Sequence, residues 1–188
     1  MNFYISDLHF GHKNIILYDS RPFNSVEEMN DTMIKNWNNA ISYNDTVYTL
    51  GDMFCCIKTE QAIGILEQLK GHKVLIKGNH DVDVINEEVI KYFDEVTDYL
   101  EVKDQNKNIV LCHYPIPCFN NHFSNDWYHF YGHVHQSFEA EWMENIKLEM
   151  IYKYKVPCNM FNVGAMLDYM NYTPRTFEEI IGGQQWIM

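Results

Sequence analysis

The chain has 188 residues, with 26 acidic against 14 basic side chains and a formal net charge of −12. A surface of that sign repels nucleic-acid backbones and anionic membranes unless bound cations reverse it locally, so neither is expected as a partner, and no run approaches the ~20 apolar residues of a membrane span. The five cysteines lack C-x-x-C spacing, which argues against a disulfide framework or zinc ribbon and fits a reducing compartment, and the length fits one domain, 1–188.

Phe3-Tyr4-Ile5 reads as a buried strand ending at Asp7. No basic, apolar leader precedes it, so a cytoplasmic location is expected. Ser25-Val26-Glu27-Glu28 is a capping box. It opens a helix with Val26, Met29, Met33, Trp37 and Ile41 at helical spacing. Thr46 to Leu50 is a second strand, left through Gly51-Asp52. Thr59 is expected to cap a helix carrying Ile63, Leu66 and Leu69, stopped by Gly71. Lys73 to Lys77 is a third strand and delivers Gly78-Asn79-His80-Asp81. This alternation predicts an α/β class with a parallel start to the sheet.

Val96 to Val102 reads as one strand, paired with Ile109 to Cys112 across a polar turn. Trp127 to Tyr131 is another, feeding Gly132-His133-Val134-His135. Phe138, Trp142, Ile146 and Met150 recur every four residues, and Glu149 with Lys153 makes an i,i+4 pair. An amphipathic helix over 138–154 is predicted, ended by Pro157. Asn159 to Val163 resumes as a strand, and the capping box Thr176 to Glu179 opens a last helix that Gly182 closes.

The chemistry-bearing residues cluster where these strands give way to loops, which is where α/β proteins keep their sites. The clusters are Asp7-Leu8-His9, Gly51-Asp52, Gly78-Asn79-His80-Asp81, His113 and Gly132-His133-Val134-His135. Their oxygen and imidazole donors form a metal-ligand set without thiolate. In an extended segment residues i and i+2 share a side, so Asp7 can act with His9, and His133 and His135 can face one cleft. A functional Asp52 would offer one carboxylate oxygen to each of two ions. His80 is placed to meet a substrate oxygen, with Asp81 orienting its ring from behind. His12 either faces a substrate phosphate or caps the following helix. Arg21 is read as a phosphate anchor, since guanidinium suits phosphate and arginine is scarce here. Cys55, Cys56 and Cys112 are read as buried apolar residues rather than reactive ones.

In this order, D-x-H, G-D, G-N-H-D, H and G-H-x-H, the clusters resemble the calcineurin-like metallophosphoesterase superfamily. Within it the chain is similar to small bacterial and phage phosphoesterases that begin Asp-Leu-His-Phe-Gly-His. The resemblance spans Asp7 to His135 and implies a four-layer α/β/β/α sandwich of two mixed sheets flanked by helices. It implies that Asp7, His9 and His135 bind one divalent ion and Asn79, His113 and His133 a second. Asp52 would bridge them, with His80 at the leaving oxygen. Manganese is the first expectation, with iron, zinc, nickel or magnesium as alternatives. The implied activity is hydrolysis of a small phosphorylated substrate, monoester or diester, by a hydroxide bridging the two ions. A catalytically silent binding scaffold and a small nuclease are the alternative readings. Met53-Phe54-Cys55-Cys56 follows Gly51-Asp52, in place of the Asp-Arg pair of protein serine/threonine phosphatases, so that branch is not the one resembled.

Overall fold

A computed structural model of the chain describes residues 1–184. The elements are β1 (Asn2–Ile5), α1 (Ile15–Tyr18), α2 (Val26–Ala40), β2 (Thr46–Leu50), α3 (Thr59–Leu66), β3 (His72–Ile76) and β4 (Glu95–Thr97). They continue as β5 (Leu100–Asp104), β6 (Lys107–Leu111), β7 (Trp127–Tyr131), α4 (Phe138–Tyr152), β8 (Met160–Asn162) and α5 (Phe177–Gln184). Two four-stranded sheets form, in the orders β1-β2-β3-β4 and β5-β6-β7-β8. Among the described residues no helix is long and apolar enough to cross a membrane.

The named strands of the first sheet are all parallel, and its one antiparallel feature is a bridge between Tyr4 and Arg175. Right-handed crossovers in a sheet that follows chain order put α2 and α3 on the same face. The other face meets the second sheet. There the Tyr4 ring sits edge-on to Phe130 of β7, centroids 4.9 Å apart, and its hydroxyl donates to Asp104 at 2.8 Å. Ile109, Leu111 and Phe130 share one buried core with Ile5, Val47 and Leu75. On the far face of the second sheet, Val110, Tyr131 and Met160 pack with Met143 of α4. The layers are therefore helix, sheet, sheet, helix, as the α/β expectation required. The second sheet is mixed: β5 and β6 are antiparallel, while β6, β7 and β8 run parallel.

Local chemistry explains where the elements depart from the sequence reading. Ser25 Oγ accepts the Glu28 N–H at 3.1 Å, but the Glu28 carboxylate reaches the Asn24 N–H at 2.8 Å, one residue outside the box. Thr59 does not cap α3, because its hydroxyl accepts from Asn86 Nδ2 at 2.8 Å. Lys58 precedes the helix instead, its N–H donated to Gln61 Oε1 at 3.0 Å. The helix ends at Leu66, before Leu69 and Gly71. The expected strand 96–102 is two strands, since β4 pairs with β3 and β5 with β6, in different sheets. Between β5 and β6 the turn residues Gln105 and Asn106 take φ of 47° and 67°, the geometry of a tight hairpin. In α4 only the second half of the four-residue stripe meets the core: Ile146 and Met150 pack beside the buried Met143, while Phe138 and Trp142 are exposed. A four-residue step overshoots the 3.6-residue turn, so the stripe drifts round the helix. The last capping box forms as read, Thr176 N–H donating to Glu179 at 2.8 Å, but α5 runs through Gly182 to Gln184.

His129 lies fully buried on β7. Its Nδ1–H donates to the Val110 carbonyl at 3.1 Å, and its Nε2 accepts the Ile116 N–H at 3.0 Å. Burial pushes its pKa from 6.5 to about 4. The unfolded chain therefore binds a proton that the folded chain refuses. This contribution to stability is complete above pH 6.5 and is lost as pH falls toward 4, reaching about 3 kcal/mol. His129→Gln is expected to flatten that part of the profile, read as the difference between urea unfolding curves of the two proteins from pH 7 to 4.

Candidate metal centre

The loops leaving β1, β2, β3, β6 and β7 meet at one edge of the sandwich. The first two bind each other: Asp7 N–H donates to the Gly51 carbonyl at 3.0 Å, and His9 N–H to that of Asp52 at 2.9 Å. The third and fourth are tied in by His113, whose Nδ1–H donates to the Leu50 carbonyl at 2.8 Å. The fifth is tied by the His133 N–H, 3.1 Å from both Asp7 carboxylate oxygens.

Asp7, His9, Asp52, His133 and His135 have φ of 54°, 52°, 51°, 69° and 48°. The i, i+2 pairs therefore converge through left-handed residues, not through the extended segments that the spacing suggested. Each such residue costs roughly 1–3 kcal/mol and persists only where surrounding contacts impose it. The glycines follow from the same crowding. A Cβ on Gly78 would overlap the Asp52 carboxylate, and one on Gly132 would come within 2.6 Å of Asp7 Oδ2.

Two groups of donors share Asp52: Asp7 with His9, Asp52 and His135, and Asp52 with His113 and His133. Asn79 joins the second, its Oδ1 3.1 Å from His113 Nε2 and 3.0 Å from His133 Nδ1. Asp52 is common to both through a single oxygen. Its Oδ2 is 3.7 Å from His9 Nε2 and 3.5 Å from His113 Nε2, while Oδ1 accepts the His80 N–H at 2.8 Å. Oδ2 is thus the oxygen that faces both groups, and Oδ1 faces the backbone of His80.

The proton assignments make the donor set fit cations. His113 spends its proton on Leu50, so its Nε2 presents a lone pair to the Asp52 carboxylate. His135 spends its Nδ1–H on Asp19, 2.8 Å away, so its Nε2 faces Asp7 Oδ1 at 3.7 Å. Acceptors facing acceptors at such range repel unless a positive charge lies between them. Burial first, and then the Arg21 charge, lowers the His9 pKa far below its ordinary value, so its ring is neutral and ligand-competent. Burial works against charge on His135, yet the Asp19 bond and the Asp7 charge leave its pKa raised, so without a cation a proton on Nε2 takes the place of the positive charge facing Asp7, and binding an ion there displaces it. His80 and Asn79 are exposed, whereas Asp7, His9, Asp52 and His113 are buried. The edge of the centre that opens to solvent is therefore the His80 side.

Four expectations are corrected. Arg21 is buried and does not face solvent. Its guanidinium donates to the carbonyls of Asp7 at 2.8 Å and Leu8 at 2.9 Å, and to Asp19 at 2.9 Å. It clamps the Asp7 loop rather than a substrate phosphate. Asp81 does not orient the His80 ring. Its carboxylate accepts the N–H groups of Asp52, Met53, Phe54 and Gly78 at 2.8–3.3 Å, and so shapes the turn that carries Asp52. Burial nevertheless raises its carboxyl to about 6. His12 does not cap α1, whose N-cap is Asn14; its Nδ1 is 3.3 Å from His9 Nδ1. Cys55 and Cys112 are buried and Cys56 is exposed, so the buried reading fails for Cys56. Burial and the Cys56 sulfur push the Cys55 thiol up to about 12, which leaves it a poor nucleophile.

Asp19 and Ser6 were not singled out from sequence. Asp19 bridges Arg21 and His135, and Ser6 Oγ donates to Asp7 Oδ2 at 2.7 Å. Only the short spacing of Asp19 from Arg21 hinted at the first. Removing the clamp is expected to be costly: Arg21→Met leaves the carbonyls of Asp7 and Leu8 without a donor and Asp19 with His135 as its remaining partner. A loss of about 3–5 kcal/mol is expected in urea unfolding. A variant as stable as wild type would show that the clamp does not hold the loop.

The model for calcineurin-like phosphoesterases matches residues 3–161. An uncharacterized protein of Methanocaldococcus jannaschii is 55% identical over 78 residues, 41% of this chain and 44% of that protein. The gene 66 protein of Mycobacterium phage L5 is 38% identical over 80 residues, 42% of this chain and 38% of that protein. The matched stretches thus span less than half the length of these curated relatives. A solved structure of a protein of unknown function from Aquifex aeolicus superposes with a TM-score of 0.63 at 24% identity, covering 97% of this chain and 98% of that one. That likeness speaks for the fold. The match across both sheets and all five loops places the chain in the calcineurin-like phosphoesterase family.

Proposed function

We propose that the chain is a metal-dependent phosphoesterase with two divalent ions, held by Asp7, His9, His135 and Asp52 on one side and by Asn79, His113, His133 and Asp52 on the other. The observation that carries this reading is Asp52 Oδ2, which stands between His9 Nε2 and His113 Nε2 at 3.7 and 3.5 Å. Bound ions would supply Lewis-acid polarisation of a phosphoryl oxygen and a water that loses its proton near neutral pH. The nitrogen and oxygen donors suit manganese, with iron, zinc, nickel or magnesium as alternatives.

The chain's own residues do the positioning. Asp7 is fixed by Ser6 and the His133 N–H, and the backbone of Asp52 by Asp81. His80 Nδ1 lies toward Cys55 Sγ at 3.7 Å, which leaves Nε2 to hold a proton for the leaving oxygen at the exposed rim. A cleft of about 200 Å3 between Tyr18–Ser20 and His135–Ser137 borders the centre at His135 and has room for a small molecule. The net charge of −12 disfavours a long polyanion. The test is elemental analysis of the purified protein, followed by turnover of phosphate mono- and diesters with added manganese. About two ions per chain and metal-dependent hydrolysis of either ester class support the reading. One ion at saturation, or full metal loading without turnover of any ester, refutes it.

A further inference from the structure

His9 has two working edges. Its Nε2 faces Asp52 Oδ2 at 3.7 Å and His135 Nε2 at 3.3 Å. Its Nδ1 faces the other way, 3.3 Å from His12 Nδ1. Cys55 is buried nearby, and one donor atom each of His9, His12 and Cys55 fall within 4.8 Å of one another. Two nitrogens bound at ~2.0–2.1 Å in a tetrahedron stand about 3.3–3.4 Å apart, so the imidazole pair already has the spacing of a tetrahedral edge.

We infer that His9 Nδ1, His12 Nδ1 and Cys55 Sγ form a separate site for one soft divalent cation, zinc or cadmium in type, at the rim of the Asp52 centre. The donor chemistry separates it from that centre, since a thiolate with two imidazoles selects thiophilic ions, whereas the Asp52 groups offer only nitrogen and oxygen. Three protein donors leave a fourth tetrahedral position for water. On uptake, bonds form to Sγ and to both Nδ1 atoms, and the thiol proton and the proton between the two rings pass to solvent. His9 becomes a bridging imidazolate when its Nε2 also holds an ion. The inference stands whether or not the centre hydrolyses phosphate esters, because it concerns a different set of atoms.

The probe is the cadmium ion alone, titrated into full-length protein preloaded with manganese. Thiolate-to-cadmium charge transfer in the ultraviolet reports the sulfur, and equilibrium dialysis counts the ions. Wild type is expected to show the band, saturating with one equivalent. Cys55→Ser and Cys55→Ala are expected to lack it while keeping the wild-type circular dichroism, and Cys56→Ser to keep it. His12→Ala is expected to weaken the cadmium affinity by at least about tenfold. Absence of the band in wild type would reduce the His9–His12 contact to a hydrogen bond and overturn the site. Loss of the band in Cys56→Ser would replace it with a dithiolate and overturn the donor set. An unchanged affinity in His12→Ala would do the same.

Discussion

Asp52→Asn is expected to remove metal-dependent turnover and at least about 100-fold of metal affinity, with the fold intact. Loss of groups that merely support a ligand costs 10–100-fold in affinity, and the shared carboxylate should exceed that. The substitution is nearly isosteric. Asn retains an oxygen to accept the His80 N–H, now at 2.8 Å from Oδ1. Its amide nitrogen, in place of Oδ2, would donate toward the lone pairs of His9 and His113. The metal-free variant should therefore melt no lower than metal-free wild type. Added manganese should then separate the two proteins. A ligand at 100 times its dissociation constant stabilises the folded state by about 2.7 kcal/mol, so wild type should shift upward and the variant should not. A variant that still takes up two ions, or still turns over phosphate esters, would show that Asp52 is not the shared ligand.

The legibility of this site has a physical pattern. The candidate donors were readable because they sit directly after apolar strands, and strand ends in an α/β sheet bring their loops to one edge. Asp7, Asp52, Asn79 and His133 each gain meaning from that position. The backbone that converges them was not readable. Asp7 and His9 look like an extended pair, yet both take left-handed φ, because bonds to Gly51 and Asp52, more than 40 residues away in sequence, impose it. Bonds to backbone elsewhere in the chain also hide the roles of Asp81 and Arg21. Arg21 looks like a phosphate anchor and Asp81 like a partner of the His80 ring, and each is spent on the backbone of a loop that carries a donor. A sequence shows the charge but not whether it is bound to solvent or to carbonyls. The fold was legible at the level of alternation, since the strands and the capping boxes speak locally. The break between β4 and β5 was not, because the apolar pattern of residues 96–102 carries no mark of which sheet each half joins. In α4 the repeat of four residues was real, but the buried stripe is set by where the second sheet lies.

His80→Ala is expected to lower kcat by about 10²–10⁴, the usual worth of general acid help, while leaving two ions bound. The metal content should survive because the contact to Asp52 Oδ1 comes from the backbone N–H of residue 80, which alanine keeps. The ring is exposed, so its removal opens no cavity in the core. Leaving-group dependence distinguishes proton donation from a merely structural role. A nitrophenyl ester departs as a weakly basic anion and needs little protonation, so its loss should sit near the low end. An alkyl ester departs as a strongly basic alkoxide and should lose the most. A loss equal for both esters would assign His80 to binding the phosphoryl group rather than to the departing oxygen. A loss of metal would return it to the ligand set. The sloping dependence alone makes His80 the proton donor, and its magnitude measures how much of the barrier the chain lowers beyond what the ions supply.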